Sequence, residues 1–570
     1  MDRRTVIAFV LIGLIIVLMP YYMRWIQGEP IRPLEPVEFD SPVIEQPELS
    51  PRTPTPSPQI AERPTPSSPP SLSSARAPSA KLDSLSFVPL DVIVDTDVFQ
   101  AVFSTQGARI ISWKLKTYMD SMGNWLELIG PSGAGLGLSL LDQSLDHIEF
   151  IPNTDRLELQ GTRQGDLVFT GSTSWGIVHK RLRFQGDRYR LDMTISTEGL
   201  PRGEKLGLKW DGGLANTEDA WNTEGGLYQV AYDQVVTYAG GEVENWTVER
   251  ILGEEKPPSG QLTWVGIRNK YFLAGMIPLE GRYDVGLSGQ ARSTGYQEFH
   301  VKLQTDASVD QLHFSVFVGP ISYDTLRFQN QDLNGTFREI NLDEFMDYGW
   351  AFFRPVNKPI TIMILKSFLA LHELIPNFGV VIVLFSIFVK IFVFPLTHKS
   401  LESAAKMQQM QPQLQELREK HGDDQQKLNT AMMKLYKDEK INPLGGCLPM
   451  LLQMPILISL FTLFRATIEL RHAHFGLWIE DLSKPETLWM VGGYELHVLP
   501  ILMGASMFVQ QKMTMKDPKQ AALVYIMPIF LTYIFWDMSS GLVFYYTLYN
   551  VLTLMQQTIM EKTKTFLGTD

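Results

Sequence analysis

The sequence predicts a polytopic α-helical membrane protein that carries an all-β domain outside the cytoplasm. Residues 86–340 alternate apolar and polar side chains with period two, which indicates half-buried strands. Apolar runs long enough to be bilayer spans flank this region, and most of them lie in the last third of the chain. These runs are Thr5–Met23, Phe378–Thr397, Leu448–Ile468, Leu496–Gln511, Ala521–Trp536 and Gly541–Gln557.

The first apolar run follows Arg3 and Arg4, and a charged start of this kind also describes a cleavable signal peptide. The run is long, no small-x-small cleavage pattern follows it, and Tyr21, Tyr22 and Trp25 suit an interfacial aromatic belt. We therefore predict that residues 1–26 form an uncleaved transmembrane signal anchor.

Residues 27–85 contain fourteen prolines between Pro30 and Pro78, mixed with Ser, Thr and Glu. Such a segment buries too little apolar surface to fold, and proline stiffens it into an extended spacer. A proline-rich ligand for another protein is the alternative. A tether is the simpler interpretation.

Short alternating runs without interleaved helices predict an antiparallel β-sandwich over residues 86–340. Examples are YRLDMTIS at 189–196 and QLHFSVFV at 311–318. Cys447 is the single cysteine of the chain, so this domain is expected to be held by its apolar core and not by disulfides. Its tryptophans suit either a sugar-stacking cleft or, more commonly, core and edge packing: Trp113, Trp175, Trp210, Trp221, Trp246 and Trp264.

Residues 341–376 predict an amphipathic helix on the outer membrane surface, leading into the second span. Its apolar stripe is interrupted by Lys358 and Lys366. The stripe consists of Ile360, Met363, Ile364, Ser367, Phe368 and Leu371.

Residues 398–442 are polar and predict an antiparallel helical hairpin, bent at Pro412, with Gly422 ending the first arm and Asp423 capping the second. Apolar side chains of one arm face those of the other, notably Leu414 and Leu417 against Leu428 and Leu435. Basic and acidic residues nearly balance. A solvated hairpin is therefore the simplest interpretation, and a docking platform for a cytosolic partner is the alternative.

Lysines and arginines in the loops set the orientation. They are concentrated at the N-terminus, in the hairpin and in the loop 512–520, and they are sparse in the loop 469–495. Both termini are thus predicted to be cytoplasmic, with residues 27–350 on the other side. The formal net charge of −12 argues against nucleic-acid binding.

The later spans carry polar groups that helices facing only lipid do not need. Lys390 lies within VVIVLFSIFVKIFVFPLT (380–397), and Gln453 lies between two prolines in NPLGGCLPMLLQMPI (442–456). The last span, GLVFYYTLYNVLTLMQQ, has a tyrosine-rich polar side. Taken alone, Lys390 could also snorkel to the cytoplasmic interface. Together these features indicate a polar surface inside the bundle.

Methionine is enriched in the same region: fifteen of the 24 methionines lie between Met407 and Met560. Flexible methionine-rich surfaces suit the binding of many different apolar segments.

In order, FSIFVKIFVFPLT, the hairpin, NPLGGCLPMLLQMPI, FGLWIEDLS and SGLVFYYTLYNVLTLMQQ resemble the YidC-type membrane protein insertases of the oxidase-assembly family. The layout is similar to the Gram-negative six-span form. The resemblance implies a five-helix insertase core plus an N-terminal anchor helix, with an all-β periplasmic super-sandwich domain similar to sugar-mutarotase folds. It is close over 377–557, weaker over 86–340 and only compositional in the linker.

The resemblance implies a multi-pass protein of a Gram-negative inner membrane, with both termini cytoplasmic and the large domain periplasmic. The domains implied are the signal anchor (1–26), a Pro-rich periplasmic linker (27–85), the periplasmic β-sandwich (86–340), an amphipathic interfacial helix (341–376), the second transmembrane helix (377–397), the cytoplasmic hairpin (398–442), four further transmembrane helices (443–557) and a short cytoplasmic tail (558–570).

By motif position, the resemblance makes Lys390 the one positive residue of a hydrophilic groove that is open to the cytoplasm and to lipid. Ser386 matches a small hydroxylated position one turn earlier. Gln453, Met454, Tyr545 and Tyr546 match other positions that line the groove. The implied function is to insert and help fold inner-membrane proteins, alone or with the Sec translocon, without nucleotide hydrolysis or covalent chemistry.

The implied partners are nascent inner-membrane proteins, the Sec translocon, membrane lipids, and the ribosome with signal-recognition components. The tail EKTKTFLGTD is short, so ribosome contact would fall to the loop 512–520 and to the hairpin, with Leu414, Leu417, Leu428 and Leu435 as candidate docking residues. No cofactor, metal or specific nucleic acid is expected.

Two positions depart from the family pattern. Its groove cation is commonly arginine, whereas Lys390 keeps the charge without the bidentate fork. The turn before the last span usually holds proline and here reads DMSSG. Two other functions stay open: a secondary transporter with Lys390 at a substrate-anion site, and an assembly scaffold without groove activity.

Overall fold

The computed structural model describes residues 89–130, 133–199, 205–218, 232–253, 261–291, 297–306, 311–333, 340–349, 353–421, 424–439, 448–491, 494–514 and 521–567. The predicted signal anchor (1–26), the proline-rich linker (27–85) and residues 86–88 lie outside the described residues.

Residues 91–320 form the predicted all-β domain. Its strands are β1 (Asp91–Asp95), β2 (Phe99–Ser104), β3 (Arg109–Met119), β4 (Trp125–Glu127), β5 (Ala134–Leu140), β6 (Gln143–Ser144), β7 (Phe150–Pro152), β8 (Arg156–Glu158), β9 (Gln164–Thr173), β10 (Gly176–Gln185), β11 (Arg190–Glu198), β12 (Lys205–Asp211), β13 (Gln234–Ala239), β14 (Glu242–Trp246), β15 (Leu262–Arg268), β16 (Phe272–Pro278), β17 (Asp284–Ala291), β18 (Gln297–Asp306) and β19 (Gln311–Pro320).

Two sheets make up the domain. One has ten strands, in the order β17-β18-β12-β5-β3-β2-β1-β8, with β4 on β3 and β6 on β5. The other has nine, in the order β14-β13-β15-β16-β19-β11-β10-β9-β7. The pairs are antiparallel except β1 with β8, which is parallel. The two runs that predicted strands pair directly, with Met193 opposite Phe314. The prediction of an all-β sandwich is confirmed.

The described tryptophans are mainly core residues. Trp113, Trp210 and Trp246 are buried within the sandwich, and Trp175 packs against its edge. Trp264 is buried on the outer face of the nine-stranded sheet, where it stacks on Phe345 with ring centroids 3.6 Å apart. These positions confirm the packing interpretation, and Trp221 lies outside the described residues.

A fully buried lysine joins the two sheets. Lys180, on β10, donates hydrogen bonds to the carbonyl oxygens of Ala108 (2.6 Å) and of Leu136 on β5 (2.5 Å). Burial lowers the pKa of this amine to about 7. Alternation alone did not identify it, because a lysine inside a sandwich is rare unless its donors find acceptors.

The described helices are α1 (Val248–Leu252), α2 (Tyr323–Leu333), α3 (Arg354–Leu374), α4 (Phe378–Gln409), α5 (Gln411–His421), α6 (Gln425–Asp438), α7 (Leu448–Ala466), α8 (Val498–Thr514), α9 (Ala521–Phe535) and α10 (Ser540–Leu567). Helix α1 falls between strands, so the expectation of no interleaved helix was wrong there. Single 3₁₀ turns cover Leu342–Phe345 and Ile468–Leu470, and a small hairpin pairs β20 (Trp489–Val491) with β21 (Tyr494–Leu496).

Helix α3 is shorter than the sequence suggested, and one residue of its predicted apolar stripe is exposed. It begins only at Arg354, because the preceding segment packs as a 3₁₀ turn against the nine-stranded sheet. Its buried side chains include the polar Asn357 and Thr361 beside Ile364, Leu365 and Phe368. Met363, assigned to the apolar stripe, is 62% exposed.

The hairpin arms are helical, with different boundaries. Helix α4 runs unbroken from Phe378 to Gln409, past the end of the apolar run. The helix is interrupted at Met410, and Pro412 then occupies the first turn of α5. Asp424 and not Asp423 caps α6, because the helix begins at Gln425 and the Asp424 carboxylate accepts the Lys427 N–H at 3.0 Å.

Among the described residues, one helical segment is both long and apolar enough to cross a bilayer. This segment is Phe378–Pro395, and its mean hydropathy is 2.5. Gln453–Ala466 and Val524–Phe535 are shorter apolar helical segments.

Buried charges join the β domain to the helical part. The Arg471 side chain is 5% exposed and its Nε lies 2.8 Å from Oε1 of Glu218, which is 4% exposed. Arg471 also donates to the carbonyl oxygens of Met119 and Thr217, on the β domain. A second, half-buried pair joins Asp347, which follows the 3₁₀ turn, to Arg465 near the end of α7.

Removing Arg471 should leave the Glu218 carboxylate buried without its cation. We expect Arg471→Met to lower the free energy of unfolding by about 3–5 kcal/mol, and Arg471→Met with Glu218→Met to recover most of that loss. Denaturant unfolding followed by tryptophan fluorescence measures both. The exposed pair Arg183–Asp166 is the matched control, worth at most about 1 kcal/mol. Equal stability of single and double variants would contradict a coupled buried pair.

Candidate functional site

Lys390 lies in the apolar half of α4 and points into the helical bundle. Its side chain is buried, with the residue 8% exposed, whereas Phe388, Ile391 and Phe392 around it are 65%, 69% and 75% exposed. The ammonium therefore lies on the inner face of α4. This geometry excludes snorkelling along the exposed face of the helix.

Helix α10 provides the contacts of the Lys390 ammonium. Nζ donates a hydrogen bond to Oγ1 of Thr553 at 2.8 Å and lies 4.8 Å from the centre of the Tyr549 ring. Thr553 in turn donates to the carbonyl oxygen of Tyr549 at 2.7 Å, which fixes the orientation of its hydroxyl. Within the described part of the chain, no carboxylate lies within salt-bridge distance of Lys390. The cation is thus held by a hydroxyl and a ring face, and two of its three N–H donors have no described acceptor.

Ser386 lies one turn before Lys390 on the same face of α4. It is 1% exposed, and its hydroxyl donates to the carbonyl oxygen of Ile382 at 2.7 Å. The side chain is therefore bonded within its own helix, and it adds a small polar group beside the lysine.

The two predicted tyrosines occupy different environments. Tyr545 is fully buried and packs between Phe385 and Tyr549, each with ring centroids 6.2 Å away. Tyr546 is half-buried and packs on Phe535 at 5.3 Å. Tyr545 thereby reaches the Lys390 site through Tyr549, and Tyr546 faces α9.

Gln453 and Met454 lie on α7. Gln453 is half-buried and Met454 is 41% exposed. Among the described contacts, no hydrogen bond or ring contact joins either side chain to Lys390. The structure thus brings Lys390, Ser386 and Tyr545 close together, and the assignment of Gln453 and Met454 to the same groove stays a prediction.

The sequence predicted a polar side on the last span, but it did not show that this side of α10 supplies the contacts of Lys390. Tyr549, Thr553, Gln556 and Gln557 follow helical spacing, and all four are at most 8% exposed. Among the described residues, the Tyr545 hydroxyl and both amide atoms of Gln556 are buried without a hydrogen-bond partner. The spacing was visible in the sequence, but the partner of Lys390 was not, because 163 residues separate it from Thr553.

Aromatic side chains close the bundle on the side of the site that faces α3. Phe368 of α3 packs edge-on against Phe385 of α4 at 5.0 Å and against Phe464 of α7 at 5.9 Å. Phe385 then meets Tyr545. The polar contacts of Lys390 consequently lie beneath a packed aromatic layer.

The turn before α10, where the resemblance suggested proline, is held by hydrogen bonds. The Ser540 hydroxyl donates to the carbonyl oxygen of Asp481 (2.8 Å), and its backbone N–H donates to that of Lys484 (2.7 Å). A proline at this position has no N–H to donate. At Gly541 a Cβ would lie 2.7 Å from the Phe464 ring, so the turn approaches α7 closely.

The hairpin leucines are mostly internal. Leu414 and Leu428 are 2% and 8% exposed, and Leu417 and Leu435 are half-buried. The first two therefore stabilise the packing of α5 on α6. Across the described residues, no group of three His, Cys, Asp or Glu side chains is placed to hold a metal ion.

Two family models match the chain: "60Kd inner membrane protein" over residues 370–566 and "YidC periplasmic domain" over residues 91–363. The chain is 34% identical to a membrane protein insertase YidC of Citrifermentans bemidjiense over 487 residues, covering 83% of this chain and 85% of the relative. It is 32% identical to the Prosthecochloris aestuarii protein of the same name over 594 residues, covering 99% and 95%. A crystal structure of an active YidC insertase with its first transmembrane domain resolved covers 82% of this chain and 92% of its own, at 16% identity and a TM-score of 0.34.

The contact between Lys390 and Thr553 predicts a stability difference. Thr553→Val removes the acceptor of a charged donor and should lower the free energy of unfolding by about 1.5–3 kcal/mol, whereas Thr553→Ser should retain most of it. Thermal unfolding in detergent measures the difference. Thr558→Val, at an exposed threonine of the same helix, is the control. Similar losses for the valine and serine variants at 553 would contradict a hydrogen bond at this site.

Proposed function

The chain belongs to the YidC family of membrane protein insertases, and from that premise we propose that Lys390 is the positive centre of an intramembrane insertion groove. Through this groove the protein inserts and helps to fold inner-membrane proteins. The observation that carries the proposal is the inward-facing ammonium, which is held by Thr553 and Tyr549 without a described carboxylate partner.

A buried cation without an anion attracts a complementary charge. In a low-dielectric site the attraction between opposite charges is stronger than in water. Hydrogen bonding and the ring face offset part of the cost of burying the ammonium, and its remaining donors are free to meet an acidic side chain. The substrate class that fits is a protein with one or two spans and a short, acidic translocated end.

The rest of the proposed groove combines polar and apolar surfaces. Ser386 and the buried Gln556 supply polar groups near Lys390. The exposed face of α4 and the exposed Met454 of α7 supply an apolar path along which a substrate segment passes into lipid. Gln453 is proposed to line the same path, with Tyr545 and Tyr546 at the aromatic end.

The aromatic layer of Phe368, Phe385 and Tyr545 supports a groove closed on its outer side. The hydrogen-bonded turn at Ser540 supports the same closure, since it joins the outer ends of α7 and α10. A substrate end would therefore be drawn part-way across. Neither this movement of the substrate end nor the passage of its apolar segment into lipid needs nucleotide hydrolysis or covalent chemistry.

We propose the multi-pass topology that loop charges favour, with both termini cytoplasmic. Residues 398–442 then form a cytoplasmic hairpin, and 443–557 contain the last four spans. Helices α8 and α9 have 17 and 15 residues, so they extend about 26 and 22 Å. Both are shorter than a hydrocarbon core of about 30 Å, which favours a locally thinned bilayer.

Among partners, nascent membrane proteins and lipids follow from family membership. The Sec translocon, the ribosome and signal-recognition components are proposals, with the hairpin as docking platform. Because Leu414 and Leu428 are buried, a partner would meet the outer side chains of α5 and α6, such as Met433, which is 65% exposed.

Reconstituted alone in lipid vesicles, the protein should insert a small coat-like protein with an acidic translocated end, without nucleotide. Lys390→Arg should keep this activity, because the positive charge remains. Lys390→Glu should lower the insertion rate at least about tenfold, which corresponds to about 1.4 kcal/mol of lost attraction. Protease protection of the translocated end measures insertion.

Lys366→Glu, at an exposed lysine of α3, is the matched charge reversal and should leave the rate unchanged. Insertion no faster than in empty vesicles would overturn the insertase mechanism. Equal insertion rates for wild type and Lys390→Glu would overturn only the role of the groove charge and would leave the insertase mechanism standing.

A further inference from the structure

The hairpin of β20 and β21 exposes apolar side chains on both of its faces. Trp489 is 63% exposed and Met490 is 66% exposed. Successive residues of a strand point to opposite faces, so neither face of this ribbon is covered by the rest of the described chain at these positions. An aqueous environment on both sides would leave a large indole and a thioether in water.

The place of the hairpin in the chain brings it to the outer end of the helical part. Trp489 pairs with Leu496, and α8 begins two residues later, at Val498. The cross-strand step and two residues of chain limit the distance from the Trp489 backbone to the start of α8 to about 12 Å. Because α8 extends only about 26 Å, its end does not project beyond a hydrocarbon core of about 30 Å.

The base of the hairpin is fixed, so its exposed side chains are held in one direction. The buried Glu486 carboxylate accepts the indole N–H of Trp478 at 2.9 Å and the backbone N–H of Leu499 at 2.6 Å. Directly after β21, His497 packs against Trp536 with ring centroids 5.2 Å apart. These bonds join the hairpin to the first turn of α8 and to the end of α9.

We propose that this hairpin is a lipid anchor, which inserts Trp489 and Met490 into the headgroup layer of the outer leaflet. The inference rests on the proposed topology, in which α7 and α8 cross the bilayer. Tryptophan has an apolar body and one N–H donor, and it accumulates at this level of membranes. The anchor would set the height at which α8 lies in the bilayer.

The lipid that fits is zwitterionic. Residues 487–497 contain no lysine or arginine, and Glu495, opposite Met490, is exposed. Anionic headgroups would therefore find an acidic neighbour and no described cation within the hairpin. Apolar insertion beside neutral headgroups agrees with the composition.

Cys447 is the single cysteine, so a labelled position can be introduced in a Cys447→Ser background. Met490→Cys, carrying an environment-sensitive fluorophore, should show blue-shifted emission in phosphatidylcholine vesicles and stronger quenching by nitroxides near the headgroup than by nitroxides near the chain end. Ile151→Cys, at a residue 69% exposed on β7, is the matched control and should be quenched by aqueous iodide instead. Replacing part of the phosphatidylcholine with an anionic lipid should not increase the blue shift at 490.

A label at 490 that iodide quenches as strongly as the label at 151 would overturn the anchor and favour an aqueous or protein-facing hairpin. In unlabelled protein, Trp489→Phe should remove a component of tryptophan emission that brominated phosphatidylcholine quenches. An unchanged quenched fraction would overturn the anchor independently of Cys447. Insertion measured on the same vesicles separates the two proposals, because lipid contact at 490 without insertion leaves the anchor standing and removes the insertase mechanism.

Discussion

A buried ammonium among apolar helices is the constraint on which the helical part depends. Removing such a charge from water costs several kcal/mol unless polar groups replace its hydration. Lys390 finds those groups on α10, and this need accounts for the polar stripe along an otherwise membrane-like helix. Ser386 adds a polar group on α4 next to this stripe, while the exposed face of α4 remains apolar. One side chain thus orients two helices and leaves a positive site that is not neutralised by a described carboxylate.

A buried ion pair also holds the β domain against the helical part. Arg471 meets Glu218 and two carbonyl oxygens of the domain, and the half-buried Asp347, in the segment that follows the domain, meets Arg465 of α7. The burial of Arg471 and Glu218 makes each partner costly to remove, so this pair fixes the domain on the segment that follows α7. A partner bound to the β domain would therefore act on a body already joined to α7.

Period-two alternation was enough to predict the sandwich, and apolar length was enough to find α4, because both follow from burial of one face or of a whole segment. Boundaries depended on local contacts: Asp424 caps α6 where Asp423 was expected, and α4 continues past its apolar run. Contacts between residues that are far apart in the sequence were not predicted. Thr553 beside Lys390 and Glu218 beside Arg471 are each ordinary in sequence, and only the fold brings them together. Tyr545 matched a groove position by motif, yet the structure buries it in an aromatic layer.

The most direct test of Lys390 as the centre of an insertion groove is site-specific photocrosslinking to a stalled nascent membrane protein. A small photoreactive residue at Ser386 keeps the cation and lies one turn away from it. The acidic translocated end of the substrate should crosslink from position 386 and not from Tyr533, which is 59% exposed on α9. Crosslinks of equal yield from both positions, or none from 386 while insertion proceeds, would contradict the groove.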